Sequence, residues 1–187
     1  MLSRFVAAFL VLAAGAGAAR ADFALEDLAG GTHVLMIRHA QAPGTGDPAD
    51  FRIGDCSTQR NLDETGRDQA RRLGERLRAA GIVDAAVYSS QWCRCLETAS
   101  LLGLGPVEEL PGLNSFHGRP QDRDGHLAAL RTFFEGLGSR TPRPVILVTH
   151  FVTIAAVTGR GVGSGDARVL KLNGTGSPEP VATIPAG

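Results

Sequence analysis

The chain has 187 residues, 43% of them hydrophobic and 20% charged, with 19 basic and 19 acidic side chains. That length suits one domain with a sizeable core, and the apolar share excludes a disordered chain. The even charge balance leaves no basic excess with which to hold nucleic acid. Lys171 is the only lysine, so nearly all the positive charge is guanidinium. Guanidinium suits planar oxyanions, although a general preference for Arg over Lys is the plainer account.

The first residues read as an export signal. Arg4 precedes an apolar run, Phe5 to Ala14, and Ala19-Arg20-Ala21 has the A-x-A form, which places cleavage after Ala21. The run is short for a membrane span, with an uncleaved anchor as the alternative. Losing Arg4 and Arg20 leaves 17 basic against 19 acidic residues. The expectation is a periplasmic or secreted protein with no stable membrane insertion once residues 1–21 are removed. In an oxidising compartment two of Cys56, Cys93 and Cys95 are expected to pair. Positions i and i+2 of a helix diverge, which disfavours Cys93–Cys95. Cys56–Cys93 is the expected bridge, Cys56–Cys95 the alternative, and three buried thiols the remaining possibility. Without C-x-x-C, zinc ribbons and c-type haem are excluded.

In chain order, Val34-Leu35-Met36-Ile37 is a short apolar run that ends in Arg38-His39. Residues 41–60 carry Pro43, Gly44, Gly46, Pro48 and Gly54 and read as a long loop, usually a functional feature in a compact domain. Ala70, Leu73, Leu77 and Ala80 recur at helical spacing, with Asp63 or Thr65 to cap the start and Gly81 to end the run. Ala85 to Tyr88 is a second apolar run, and Cys93 to Leu102 a second helix. Residues 111–125 form another irregular stretch before a helix from Asp124 to Leu137. Val145 to Val148 is the third run, ending in Thr149-His150, with a helix expected from there to Gly159. Val169 to Leu172 adds a possible edge strand, and residues 174–187, with three prolines, read as a loosely held tail. Continuous apolar runs alternating with helices imply strands buried on both faces. The expected fold is α/β over residues 22–173: a three-layer sandwich with a mostly parallel central sheet and helices on both sides.

Ligands of such sheets bind beyond the carboxyl ends of the strands. Arg38 and His39 end the first run, Arg94 opens the helix after the second, and His150 follows the third. Two guanidiniums and two imidazoles thus gather on one rim. Arginines and a helix N-terminus suit a phosphoryl dianion, and a histidine among them can attack phosphorus. The attacking nitrogen must be unprotonated, and the neighbouring guanidiniums favour that state. The second histidine either stays charged or donates a hydrogen bond to the transferring oxygens.

Arg38-His39-Ala40 after a strand resembles the Arg-His-Gly/Ala signature of the histidine phosphatase superfamily (phosphoglycerate mutase-like). The resemblance continues in Arg60-Asn61-Leu62 with Gly66 and Gln69-Ala70, in Ser89-Ser90 with Arg94 and Thr98-Ala99, and in Val148-Thr149-His150. These blocks fall in family order and span about residues 32–160. Asp55-Cys56, Thr58 to Leu62, Trp92-Cys93-Arg94 and Leu113 to Phe116 look like a secreted bacterial subgroup.

The resemblance implies that His39 becomes phosphohistidine, then hydrolysed by water, with Arg38, Arg94 and His150 as the phosphate pocket and no metal or organic cofactor. Arg60 is a further candidate for phosphate contact, with an ion pair as the other reading. The implied activity is a phosphatase acting on a small phosphomonoester or a more labile phosphoryl compound. Its alternatives are a catalytically weak phospholigand-binding relative and a phosphotransferase. One departure bears on this choice. Where the family carries Leu-x-Glu for the leaving-group proton, this chain has Leu113-Asn114-Ser115. Of the carboxyls flanking that stretch, Glu109 and Asp122 are the candidate acids. His33, His117 and His126 have no such partners, and His117 reads as a solvated loop residue. A metal site from His39, His150 and cysteine is disfavoured because the adjacent arginines repel a cation. Trp92 is expected to pack near the bridge and brace Arg94. Neither substrate identity nor oligomeric state is legible in the chain.

Overall fold

The computed structural model describes residues 23–187, so the expected signal peptide lies outside the described residues. Six strands form one sheet: β1 (His33–Arg38), β2 (Ala86–Ser89), β3 (Val107–Glu109), β4 (Val145–Thr149), β5 (Ala167–Lys171) and β6 (Glu179–Ile184), ordered β3-β2-β4-β1-β5-β6. The first four run parallel, while β5 is antiparallel to β1 and β6 to β5. Four helices pack around the sheet: α1 (Glu64–Ala79), α2 (Cys93–Leu102), α3 (Arg123–Leu137) and α4 (Phe151–Thr158). This is the expected α/β sandwich with a mostly parallel centre.

Strand periodicity divides the core. In β1, Leu35 and Ile37 face a cluster containing Leu73 and Leu77 of α1 and Ala99 and Leu102 of α2. Val34 and Met36 face the opposite cluster with Leu130 and Phe134 of α3 and Ile154 of α4. All five residues of β4 are buried, as a strand covered on both faces requires. Each fully buried Leu or Ile contributes about 1.5–3 kcal/mol, so the two half-cores stabilise the sheet from both sides. None of the described helices is long and apolar enough to cross a membrane.

The sheet differs from expectation on both flanks. The segment 169–172 is not an edge, because β6 pairs outside it. Residues 174–187 are no loose tail: Ile184 and Ala186 are buried, the Ala186 amide donates to Asp166, and Arg76 donates to the Pro185 carbonyl. Pro180 is tolerated because β6 is the outermost strand and the ladder shifts register beside it. The short β3 escaped notice because it has three residues, two of them glutamates, and pairs on one side only.

Helix α1 begins where expected. Asp63 accepts from the Gly66 amide at 2.8 Å, and the Gln41 side chain donates to Asp63 at 3.0 Å. The Gln41 amide in turn donates to Gln69. The loop leaving β1 is therefore fastened to the first turns of α1. Cys56 and Cys93 form a disulfide that ties the same loop to the start of α2, and Cys95 is free and buried.

A methyl group on Gly66 would overlap the Gln41 carbonyl oxygen, backbone against backbone. Gly66→Ala is expected to destabilise the fold by about 1–3 kcal/mol, measured by denaturant unfolding. An unchanged midpoint would refute this close approach.

Candidate active site

The parallel register of β1 and β4 pairs Arg38 with Thr149, and the His39 amide donates to the Thr149 carbonyl at 2.9 Å. His39 and His150, each one residue further, therefore stand side by side with ring centroids 5.5 Å apart. The Ser90 amide donates to Val148 across the neighbouring pair, which carries β2 toward the same point and delivers Arg94 in the first turn of α2. His39, Arg94 and His150 are each 3% exposed. Together with Arg38 and Arg60 they line a cavity of about 200 Å³, which also takes in Asp47, Ser115, His117 and Phe151.

The His39 ring is held in one tautomer. Its Nδ1 lies 2.8 Å from the Ala40 carbonyl oxygen, which can only accept, so Nδ1 carries the proton and Nε2 the lone pair. Burial, followed by the Arg94 charge, lowers its pKa to about 3. Desolvation thus outweighs the guanidiniums that the sequence reading named as the cause. His150 is also pushed well below its ordinary pKa, first by burial and then by His39 and Arg94. Of the two states expected for it, burial disfavours the charged one. The Asn114 Oδ1 accepts from both the Gln91 amide and the Ser90 hydroxyl, so the Ser90 oxygen accepts from His150 Nε2–H at 2.8 Å.

Three guanidiniums converge here with little carboxylate to neutralise them. Arg38 donates to the Val162 carbonyl, and Arg60 donates to the carbonyls of Ala42 and Gly46. Arg60 thereby props the loop as well as lining the cavity. The Nε atoms of Arg38 and Arg94 are buried without a hydrogen-bond partner among the described residues. Buried donors left unpaired are costly, and the positive charge of the three guanidiniums that line the cavity suits it to an oxyanion.

Asp47 is the carboxylate lining this cavity, and the sequence reading missed it. Its two oxygens accept from Arg94 at 2.6 and 3.2 Å, and one also accepts from Trp92 Nε1 at 2.9 Å. Burial alone would raise this carboxyl, but the bonds from Arg94 and Trp92 hold it below the usual range. Trp92 braces Arg94 as expected, though through Asp47. The Trp92 ring stacks on Phe51, and the Arg119 guanidinium lies 4.4 Å from the Phe51 centroid, so the two long loops meet there. The available signal was the position of Asp47 in the loop already marked as functional.

The two expected acids are elsewhere. Glu109 ends β3, exposed, and accepts from the Gln91 side-chain amide; Asp122 is half-buried in a single helical turn before α3. Neither lines the cavity. The edge position of β3 explains this for Glu109, and Asp122 sits in the turn that leads into α3, past the stretch that lines the cavity. His117, read as a solvated loop residue, is exposed yet borders the cavity.

Because both buried histidines are held neutral, the folded state resists proton uptake that the unfolded chain accepts below the ordinary histidine pKa. Stability is whole above pH about 6.5 and falls as pH drops toward the His39 value of about 3. Each histidine contributes a slope of at most about 1.4 kcal/mol per pH unit. Urea unfolding between pH about 7 and 5 is expected to show this slope, and His39→Asn to reduce it. A slope unchanged in the variant would refute a neutral buried His39.

The family model described as "Histidine phosphatase superfamily (branch 1)" matches residues 34–123. No curated protein sequence matches the chain. Among solved structures, the protein histidine phosphatase SixA complexed with tungstate superposes with a TM-score of 0.59 at 17% identity, over 82% of this chain and 97% of that one. Mycobacterial glucosyl-3-phosphoglycerate phosphatase Rv2419c with inorganic phosphate gives 0.54 at 20% identity, over 79% and 93%. TTHB049 from Thermus thermophilus gives 0.55 at 19%, over 82% and 98%. These likenesses concern the fold, and the family match covers the stretch that holds His39, Arg60 and Arg94. The chain thus matches the histidine phosphatase family model over residues 34–123 and shares its fold with solved phosphatases.

Proposed function

We propose that this protein is a phosphatase that hydrolyses a small phosphomonoester, or a more labile phosphoryl compound, through a phosphohistidine on His39. The observation that carries the reading is the His39 ring itself. Its Nε2 lone pair is held free by the Ala40 carbonyl, in a cavity where two buried guanidinium nitrogens lack partners. The phosphoryl oxygens are taken by Arg38 and Arg94, while His150 walls the cavity and packs edge to face on His39. Phosphoryl transfer asks the protein mainly for positioning and charge stabilisation, and this cavity supplies both. Structural neighbours bearing tungstate and inorganic phosphate support an oxyanion in such a fold. Arg60 adds positive charge and holds the loop that closes the cavity. No step in this reading calls on a metal or organic cofactor.

The test is turnover of p-nitrophenyl phosphate and of a phosphoramidate, with inorganic phosphate as the product. His39→Ala is expected to abolish both activities, and Arg94→Ala to lower kcat/KM by about 10²–10³-fold. Binding of phosphate without turnover of either compound would favour a phospholigand-binding role. Phosphate passed to an alcohol in preference to water would favour a phosphotransferase.

We place the protein in the periplasm or outside the cell. The leader reading of residues 1–21 and the Cys56–Cys93 disulfide support that address. Material recovered from the extracytoplasmic fraction is expected to begin at Asp22 and, once denatured, to show one free thiol, that of Cys95. An intact Met1 terminus or three free thiols would overturn it.

A further inference from the structure

The phosphatase reading leaves the leaving-group proton without a donor, and the inference here rests on that reading. The titratable groups lining the cavity are Arg38, His39, Asp47, Arg60, Arg94, His117 and His150. The three arginines do not release protons near neutrality. His39 is the nucleophile and must be unprotonated. His150 is buried, neutral and engaged with Ser90. Asp47 is an ionised carboxylate with both oxygens committed to Arg94 and Trp92. His117 is different: it borders the cavity from the second long loop, faces solvent, and its ring has no hydrogen-bond partner among the described residues.

Its backbone is set for this place. The His117 amide donates to the Ser115 hydroxyl at 3.2 Å, and Ser115 lines the same cavity. Asn114, just before, is bound to both Ser90 and Gln91. Two residues on, the Arg119 guanidinium lies over Phe51. The loop is thus pinned on both sides of His117 while the imidazole itself is left free. An imidazole has both a nitrogen that can donate a proton and one that can accept it.

We propose that His117 is the proton donor and acceptor of the reaction. The His39 Nε2 lone pair forms a bond to phosphorus as the bond from phosphorus to the leaving oxygen breaks, and that oxygen takes a proton from the His117 imidazolium. The neutral His117 then takes a proton from water as the water oxygen bonds to phosphorus. The P–Nε2 bond breaks, its electron pair returns to His39, inorganic phosphate departs and His117 is again protonated. The charged groups facing it across the cavity are Asp47, Arg38, Arg60 and Arg94, with Arg119 on its own loop.

Leaving groups of different basicity separate this role from a structural one. An alkyl phosphate needs its oxygen protonated, whereas p-nitrophenolate leaves well unaided. His117→Ala and His117→Asn are expected to lower kcat on glycerol phosphate by about 10²–10⁴-fold and on p-nitrophenyl phosphate by less than about threefold. The basic limb of the wild-type pH–rate profile on glycerol phosphate is expected to disappear in both variants. Equal losses on the two substrates, no loss on either, or a wild type inactive on glycerol phosphate while active on p-nitrophenyl phosphate would overturn the proposal. His39→Ala, assayed alongside, separates the two failures. Inactivity there with equal losses at His117 removes only the role of His117, whereas wild-type rates there remove the phosphohistidine itself.

Discussion

The parallel pairing of β1 with β4 is the constraint on which the site depends. It aligns Arg38 with Thr149, so the next residue of each strand, His39 and His150, emerges at the same level of the sheet. The carbonyl of Thr149 accepts the His39 amide, which prevents a slip. A slip of one residue would exchange the two faces of β1, moving Leu35 and Ile37 out of one half-core and Val34 and Met36 out of the other. The hydrophobic core therefore enforces the geometry of the candidate site: the energy that holds the imidazoles together is the burial of residues outside the cavity.

The second theme is desolvation. Burial makes both imidazoles neutral and leaves two guanidinium nitrogens without partners in one place. Arginines short of counter-charge are poorly stabilised until an anion arrives, and their charge together with burial keeps the His39 Nε2 lone pair unprotonated. Asp47 offsets part of this charge through its bonds to Arg94, and Trp92 fastens it there. The Cys56–Cys93 bridge and the Phe51–Arg119 contact then hold the two long loops over the rim.

How much was legible in the chain follows from which forces are local. The runs 34–37, 85–88 and 145–148 became β1, β2 and β4, and Cys93 to Leu102 became α2 with the same bounds, because apolar spacing is a local signal. His39, Arg38, Arg94 and His150 could be chosen because strand ends of a parallel sheet share one rim. β6 was missed because three prolines argue against a central strand but not against an outermost one, and edge position is a property of the sheet. Glu109 and Asp122 were chosen as acids by nearness in sequence to Leu113-Asn114-Ser115, and the chain turns both away from the cavity.

From residue order alone came the α/β class, the strand-end placement of two histidines and two arginines, and the expected partner of Cys56. Those follow from periodicity and from spacing along the backbone, which any segment carries within itself. Tertiary structure decided that Asp47 would clasp Arg94 from a position 47 residues earlier in the chain, and that His117 would border the cavity. It also decided that burial, more than charge, would keep His39 neutral. Loop paths and desolvation depend on what packs around a residue, and that environment is assembled from segments distant along the chain.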